Sequence, residues 1–525
     1  MEIALDFESI EHAARKRSGA VGAVVIGYEE CAVDLVHRER QAVLLYLDDL
    51  PLRHVLRAAQ VNTLTQDSSP DLVEVFLAPP KSVSSKGRTI VAFLKRTMLK
   101  KEINELLTQT GPGTVMGDLF RQYWIPALLA SELPENEAPP VRVKLLSERL
   151  LAFRDSQGRY GLIDEFCAHR GVSLWFGRNE EGGLRCSYHG WKYDTAGQCI
   201  EVPSEPKESG FCGRIKLKDY PLVKVGDVLW THMGDPGARP PLPEWEFAAV
   251  APAQTYTSKR WQECNWLQAL EGGIDSSHVS WLHSGGLRTD PLFKGARGNE
   301  YSLQDRQPVF EVVPSDGGLL IGARRNAEAG HYYWRITQFV LPSFTMIPPR
   351  GDHPIHGHFW IPIDDENTWA WSYDYHPNRA LSAEERQAMI EGHGIHNQYV
   401  PGTFRPLQNK DNDYLMDRAA QKRGDTFSGV WGIAMQDASL QESMGPIVDR
   451  TKENLVSTDN GIIMARQQLR KAAISLRDKK QQPPGVDPGH QRVRSASVVL
   501  PSDESFADRC RESLVAAPGA KHSSV

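Results

Sequence analysis

The chain has 525 residues, 40% hydrophobic and 24% charged, with a formal net charge of −6. That length holds two hydrophobic cores and appendages, and the mild acidity gives no electrostatic reason to expect nucleic acid. No apolar run reaches membrane-spanning length, the first residues do not read as a secretory signal, and seven cysteines are few and odd in number for a disulfide scaffold. A cytoplasmic location is the expectation.

In chain order, residues 1–97 form an extension of uncertain status, either a mispredicted start or a small extra domain, and the first folded domain is expected over 98–240. Within it VRVKLL (141–146), LLAFRD (150–155) and YGLIDEF (160–166) read as short strands, with Ser156-Gln157-Gly158 as a hairpin turn. This is a small antiparallel β domain. Residues 241–479 change texture. FVLPSFTMIPP and HFWIPI are strand-like, and WAWSYDYH places Trp369, Trp371, Tyr373 and Tyr375 on one face. Ser382 with Glu385 forms a capping box, and Val448 to Asp478 reads as predominantly helical. The second domain is therefore α+β, a sheet covered by helices. Residues 480–525 turn to Pro, Gly, Ser and charge, which predicts an extended or disordered tail. No GxGxxG fingerprint suggests that the chain binds its own nicotinamide or flavin.

Cys167-Ala-His169-Arg-Gly is followed by Cys186-Ser-Tyr-His189-Gly-Trp, with sixteen residues between His169 and Cys186. Two loops each offer one thiolate and one imidazole, the donor set of a 2Fe-2S cluster with two Cys on one iron and two His on the other. Gly171 and Gly190 would let the backbone turn tightly and aim amides at the sulfides. A structural Cys2His2 zinc site takes the same donors, but its pairs usually space as C-x2-4-C and H-x3-5-H, without mixing Cys and His in one loop. The pattern resembles the Rieske motif of bacterial ring-hydroxylating oxygenases. Ala168 and Tyr188 stand where respiratory Rieske proteins carry extra cysteines, which favours the oxygenase branch.

A second constellation, Asp275-Ser-Ser-His278-Val-Ser-Trp-Leu-His283, resembles the mononuclear-iron segment of the same family. On an ideal helix His278 and His283 would lie about 140° apart, so both can ligate one ion only if the helix bends or ends. An O2-activating Fe(II) uses two His and one carboxylate and leaves positions open. Asp437, in WGIAMQDASLQESMG, matches the family's third ligand, with Glu442 as fallback. The resemblance gives Asp275 another role: it links His278 to His189 of the next chain, which implies a homotrimer or a multiple of one.

Among weaker signals, His356 and His358 share a strand face near His353, and either line the substrate side of the sheet or meet solvent. Arg306, Arg324, Arg325 and Arg335 could clamp a substrate carboxylate. From about Met98 to Ser497 the wording (NELLTQTGPGT, RQYWIPALL, NWLQALEGGIDSSH, QESMGPIVDRT, VRSASVVLP) is similar to the phthalate 4,5-dioxygenase oxygenase subgroup. The resemblance implies a helix-grip catalytic domain, a Rieske cluster at Cys167, His169, Cys186 and His189, and iron at His278, His283 and Asp437. It also implies a separate NAD(P)H-dependent reductase carrying flavin and iron-sulfur, O2, and an aromatic substrate that is cis-dihydroxylated. Monooxygenation with O-demethylation is the alternative, and a pure electron carrier the alternative of another class.

Overall fold

The computed structural model describes residues 99–517 and 523–525, with five short strands between residues 3 and 93. Cys31 and most of the 1–97 extension lie outside the described residues. Residues Met1–Met98 and Leu99–Val525 form two separate compact units, and both Cys/His loops and the large sheet belong to the second.

The second unit opens with helices α1 (Lys101–Thr108) and α2 (Val115–Phe120), then eleven short strands: β1 (Trp124–Leu129), β2 (Val141–Leu145), β3 (Glu148–Arg154), β4 (Tyr160–Asp164), β5 (Arg178–Glu180), β6 (Gly183–Arg185), β7 (Lys192–Tyr193), β8 (Cys199–Glu201), β9 (Asp219–Tyr220), β10 (Leu222–Val225) and β11 (Val228–His232). They make three antiparallel sheets, in the orders β9-β4-β3-β2, β5-β6-β7-β8 and β10-β11-β1. The β3–β4 hairpin turns where its sequence places it: Asp155 Oδ1 accepts from the Gln157 and Arg159 amides, and Gly158 takes the left-handed backbone that the turn needs.

The larger sheet runs β12 (Thr255–Gln262), β13 (Val309–Pro314), β14 (Gly318–Asn326), β15 (His331–Val340), β16 (Phe344–Ile347), β17 (Ile355–Pro362) and β18 (Thr368–Tyr375) along the chain, and is ordered β12-β18-β17-β16-β15-β14-β13 in space. Helix α3 (Trp266–Ile274) lies on it and buries Trp266, Leu267, Ala269, Leu270 and Ile274. Asn265 caps its start, its side chain accepting from the Leu267 amide. Helices α4 (Ile433–Ser443) and α5 (Asn460–Lys479) complete the layer, and the Ser382–Glu385 capping box is formed. This is the antiparallel β plus α+β arrangement read from the sequence. Among the described residues no helix is long and apolar enough to cross a membrane.

Val448 to Asp478 is predominantly helical as read, with 3-10 turns at Arg450–Lys452 and Ser457–Asp459 and the long helix from Asn460. One expectation needs correction. The tail is not an extended or disordered appendage over its described part. Ala496–Pro501 forms β19, antiparallel to the first half of β15, while Phe506, Cys510 and Leu514 pack beside Trp334 and Ile336. Composition averaged over 480–525 conceals these few apolar anchors. The sheet supplies their backbone partners, and Ser495 and Ser497 donate to the Ile347 and Pro349 carbonyls.

Candidate functional site

The two Cys/His loops are near copies of one another. The Cys167 amide donates to Val172 O and the Gly171 amide to Cys167 O, while the Cys186 amide donates to Trp191 O and the Gly190 amide to Cys186 O. Gly171 and Gly190 adopt φ of 72° and 76°, as a tight turn demands. The amides of the two glycines themselves are spent on the cysteine carbonyls. The closed turns bring the four side chains together: both cysteines are buried, both histidines are exposed, and His169 Nδ1 lies 3.1 Å from His189 Nδ1. His169 stacks on Trp191 with ring centroids 4.6 Å apart, which fixes one ring plane. Burial pushes the Cys167 thiol up while the Tyr193 hydroxyl, 3.2 Å from its sulfur, opposes the shift. Two buried thiols and two facing imidazole nitrogens at the surface are donors that would hold a 2Fe-2S cluster.

The second site grows from the end of α3. The helix stops at Ile274, and Asp275 turns the chain into extended backbone. His278 follows in a short 3-10 turn and His283 in the next turn, so the helix ends before either histidine, as their angular separation requires. A Cβ on Gly273 would meet Thr345 Oγ1 and Trp360 at 3.0–3.1 Å, so glycine allows this segment to lie close on the sheet. Asp275 Oδ1 accepts from the Ser277 amide and hydroxyl, and Oδ2 lies 3.1 Å from His278 Nδ1. That contact holds a proton on Nδ1 and leaves Nε2 with its lone pair.

Helix α4 brings Asp437 to the same point. His278 Nε2 and His283 Nε2 are 3.1 Å apart, and Asp437 Oδ1 lies 3.5 Å and 3.3 Å from them. The three donor atoms form the compact set that a divalent metal gathers, with all ligand atoms within 4.8 Å of one another. Burial pushes the Asp437 carboxyl up, but the His283 and His278 imidazoles and Arg260 outweigh it and hold it at about 2. Burial likewise opposes charge on His278, and Asp275 outweighs it, so its pKa is raised.

Gln436 was not singled out from the sequence. Its Oε1 lies 2.8 Å from His283 Nδ1, while its Nε2 donates to Thr426 Oγ1 and Val430 O. The two donated bonds fix the amide orientation, so the oxygen must accept the His283 Nδ1 proton and Nε2 again faces the donor triangle. Its position next to Asp437 on one helix is the only signal the sequence carried. Glu442 is not part of the triangle: it accepts from Tyr414 Oη and the Glu263 amide.

The triangle opens on a cavity between the sheet and helices α3 and α4. Val279, Leu287, Phe293, Ile347, Trp360 and Ile433 give it apolar walls, and Arg260, Arg335, Arg350, His356 and His358 add polar groups. His356 and His358 are buried on the cavity side of β17, which resolves the sequence alternative in favour of the substrate side. Burial lowers His356 to about 4 and holds His358 well below the ordinary histidine value, so both are neutral at pH 7. His353 instead bonds the Lys294 carbonyl. Of the arginines proposed as clamps, Arg335 lines the cavity. Arg325 is taken up by the Asp305 and Ser276 carbonyls, and Arg306 and Arg324 lie over Trp281 and Tyr332. Arg260 and Arg350 were missed.

Comparison with known proteins agrees with this geometry. Residues 123–221 match the Rieske [2Fe-2S] domain, and residues 231–506 match the domain described as LigXa C-terminal domain like. The 3-chlorobenzoate-3,4-dioxygenase oxygenase subunit of Comamonas testosteroni is 37% identical over 399 residues, 74% of this chain and 92% of that protein. The chain belongs to the Rieske oxygenase family. Two further relatives are the phthalate 4,5-dioxygenase oxygenase subunit of Pseudomonas putida, 36% identical over 70% of this chain and 85% of that protein, and the 5,5'-dehydrodivanillate O-demethylase oxygenase subunit of a Sphingobium species, 31% identical over 74% and 83%. As a large subunit of this family the chain takes a Rieske [2Fe-2S] cluster and a mononuclear non-haem iron, and both constellations have donors of the required kind.

Proposed function

We propose that this Rieske oxygenase hydroxylates an aromatic, phthalate-like substrate, with cis-dihydroxylation as the reaction. The observation that carries the reading is the His278, His283, Asp437 triangle at the wall of an apolar-lined cavity. In this reading Cys167, His169, Cys186 and His189 hold the cluster, and the triangle holds the iron. When bound, the cluster supplies single electrons and the iron supplies O2 activation. The protein's own residues do the rest. Asp275 and Gln436 keep protons on the Nδ1 atoms of His278 and His283, so that both Nε2 atoms face inward. Phe293, Ile347 and Trp360 exclude water and offer flat apolar surface to a ring.

Electrons come from a separate NAD(P)H-dependent reductase carrying flavin and iron-sulfur. Exposed His169 and His189, beside exposed Trp175, Phe176 and Tyr188, support docking at the cluster end. The protein assembles as a homotrimer or a multiple of one, in which Asp275 joins His278 to His189 of the partner subunit.

Anaerobic preparation, iron and acid-labile sulfide counts, and product analysis after turnover with isotopically labelled O2 test the reading. About three irons and about two sulfides per chain, with both labelled atoms in one product, are the expected results. Zinc without labile sulfide would overturn it. The 31% identical O-demethylase subunit supports a second reading, monooxygenation with loss of an alkyl group, which one labelled atom in a dealkylated product would establish.

A further inference from the structure

We infer that Cys199 and Cys212 form a reversible disulfide, closed by a peroxide, that fastens the segment between them to the sheet beside the cluster loops. The site uses none of the metal donors and does not depend on which substrate the cavity takes.

Cys199 opens β8 and is 2% exposed, while Cys212 starts a short 3-10 turn, Cys212–Arg214, and is half-buried. Both are free thiols, and their sulfurs lie 3.4 Å apart. The backbone builds this approach. The Cys199 amide donates to Ile215 O at 2.9 Å, the Leu217 amide to Gly197 O at 2.8 Å, and the Ile215 amide to Cys212 O at 3.1 Å. Gln198 Nε2 adds bonds to the Gly213 and Ile215 carbonyls. Closing from 3.4 Å to a bond of about 2.05 Å is a shift on the scale of side-chain rotation.

The two thiols differ as a peroxide-driven closure requires. Burial and the neighbouring Cys212 sulfur push the Cys199 thiol up to about 12, so it stays protonated and is protected from oxidation on its own. Cys212 is the sulfur that solvent reaches. Its thiolate attacks one oxygen of hydrogen peroxide, the O–O bond breaks, and hydroxide leaves a sulfenic acid on Cys212. The Cys199 sulfur then attacks Cys212, gives up its proton and expels the sulfenic oxygen as water. Two thiols lose two electrons and two protons, and one peroxide becomes two waters.

The surroundings give closure a consequence. Cys199 faces Tyr193 across β7 and β8, and the Tyr193 hydroxyl lies 3.2 Å from Cys167 Sγ. Phe211, next to Cys212, meets Trp191 edge-on with centroids 5.8 Å apart, and Trp191 stacks on His169. The disulfide therefore pins residues 200–211 to the sheet that carries Tyr193 and leaves all four cluster donors untouched.

The test uses the full-length, cluster-loaded protein with the cluster oxidised. Hydrogen peroxide is added in stoichiometric steps, remaining thiols are alkylated, and tryptic peptides are read by mass spectrometry. Cleavage after Lys192, Lys207 and Arg214 puts Cys199 and Cys212 on separate peptides, 193–207 and 208–214. In most wild-type molecules these two should appear joined and lighter by two hydrogens than their sum. Dithiothreitol should part them with the cluster absorbance retained. Cys199→Ser should stop at a sulfenic acid on Cys212, trapped by dimedone, while Cys212→Ser should leave Cys199 as a free thiol. In the folded protein, tryptic cleavage after the exposed Lys207 should be several-fold slower in the oxidised form than in the reduced form. Peroxide that leaves both thiols free, carries Cys212 past the sulfenic state without joining the peptides, or bleaches the cluster before they join overturns the inference. So does a link that dithiothreitol cannot open, and equal cleavage rates after Lys207 overturn the fastening.

Discussion

Replacing Gln436 with leucine roughly keeps the side-chain volume and removes the acceptor for His283 Nδ1 together with the amide donor to Thr426 Oγ1 and Val430 O. The 2.8 Å contact to His283 Nδ1 is buried, so its loss leaves an imidazole N–H without a partner at a cost of about 1–3 kcal/mol. The ring can escape by moving the proton to Nε2, but that nitrogen is the one facing His278 and Asp437, and protonation removes its lone pair. Either way the cost falls on metal binding. At about 1.4 kcal/mol per decade it corresponds to roughly 10- to 100-fold weaker Fe(II) affinity. The assay is anaerobic competition for Fe(II) against a chelator, with the visible absorbance of the cluster as the control for folding. Gln436→Glu keeps an acceptor at the same place and should bind iron within a few-fold of the parent. Unchanged affinity in Gln436→Leu would refute the orientation argument, as would equal losses in both variants.

Asp437→Ala should lose the mononuclear iron and all oxygenation while keeping the cluster absorbance and sulfide content, measured by metal analysis. Asp275→Asn should retain both metals yet lose turnover coupled to the reductase, and full activity in that variant would defeat the bridge. Glu271 sits between Arg450 and Arg466. Burial pushes its carboxyl up, and the two guanidinium groups outweigh burial and hold it below the usual range. Its contribution is therefore fully present above the unfolded carboxylate value of about 4.3 and lost as pH falls through the folded value. Glu271→Gln, which leaves Arg450 and Arg466 with Glu453 as their remaining carboxylate partner, should lower stability by up to about 3 kcal/mol at pH 7 and flatten the acid limb of a melting-temperature profile. An unaltered acid limb would contradict the ion-pair account.

The Cys/His loops were legible because each is closed within a few residues. Gly171 bonds back to Cys167 and Gly190 to Cys186, so spacing alone carries the geometry. Asp275 and the two histidines share one short segment, and the angular conflict between His278 and His283 already required the helix to end. Asp437 lies on another helix, and resemblance to a family, rather than any local pattern, singled it out. Gln436, Arg260 and Arg350 have no motif: their meaning comes from neighbours on other elements. The tail misled for a related reason, since β19 is a strand only because β15 offers it partners.

By itself the sequence determined the two donor sets, the order of the domains and the alternation that makes the sheets, because these depend on residue type and on contacts a few positions apart. Tertiary structure alone decided which imidazole nitrogens face inward and which arginines are buried at the cavity wall. Those outcomes depend on the burial and partners of single atoms, which chain segments far apart in sequence supply only when they pack.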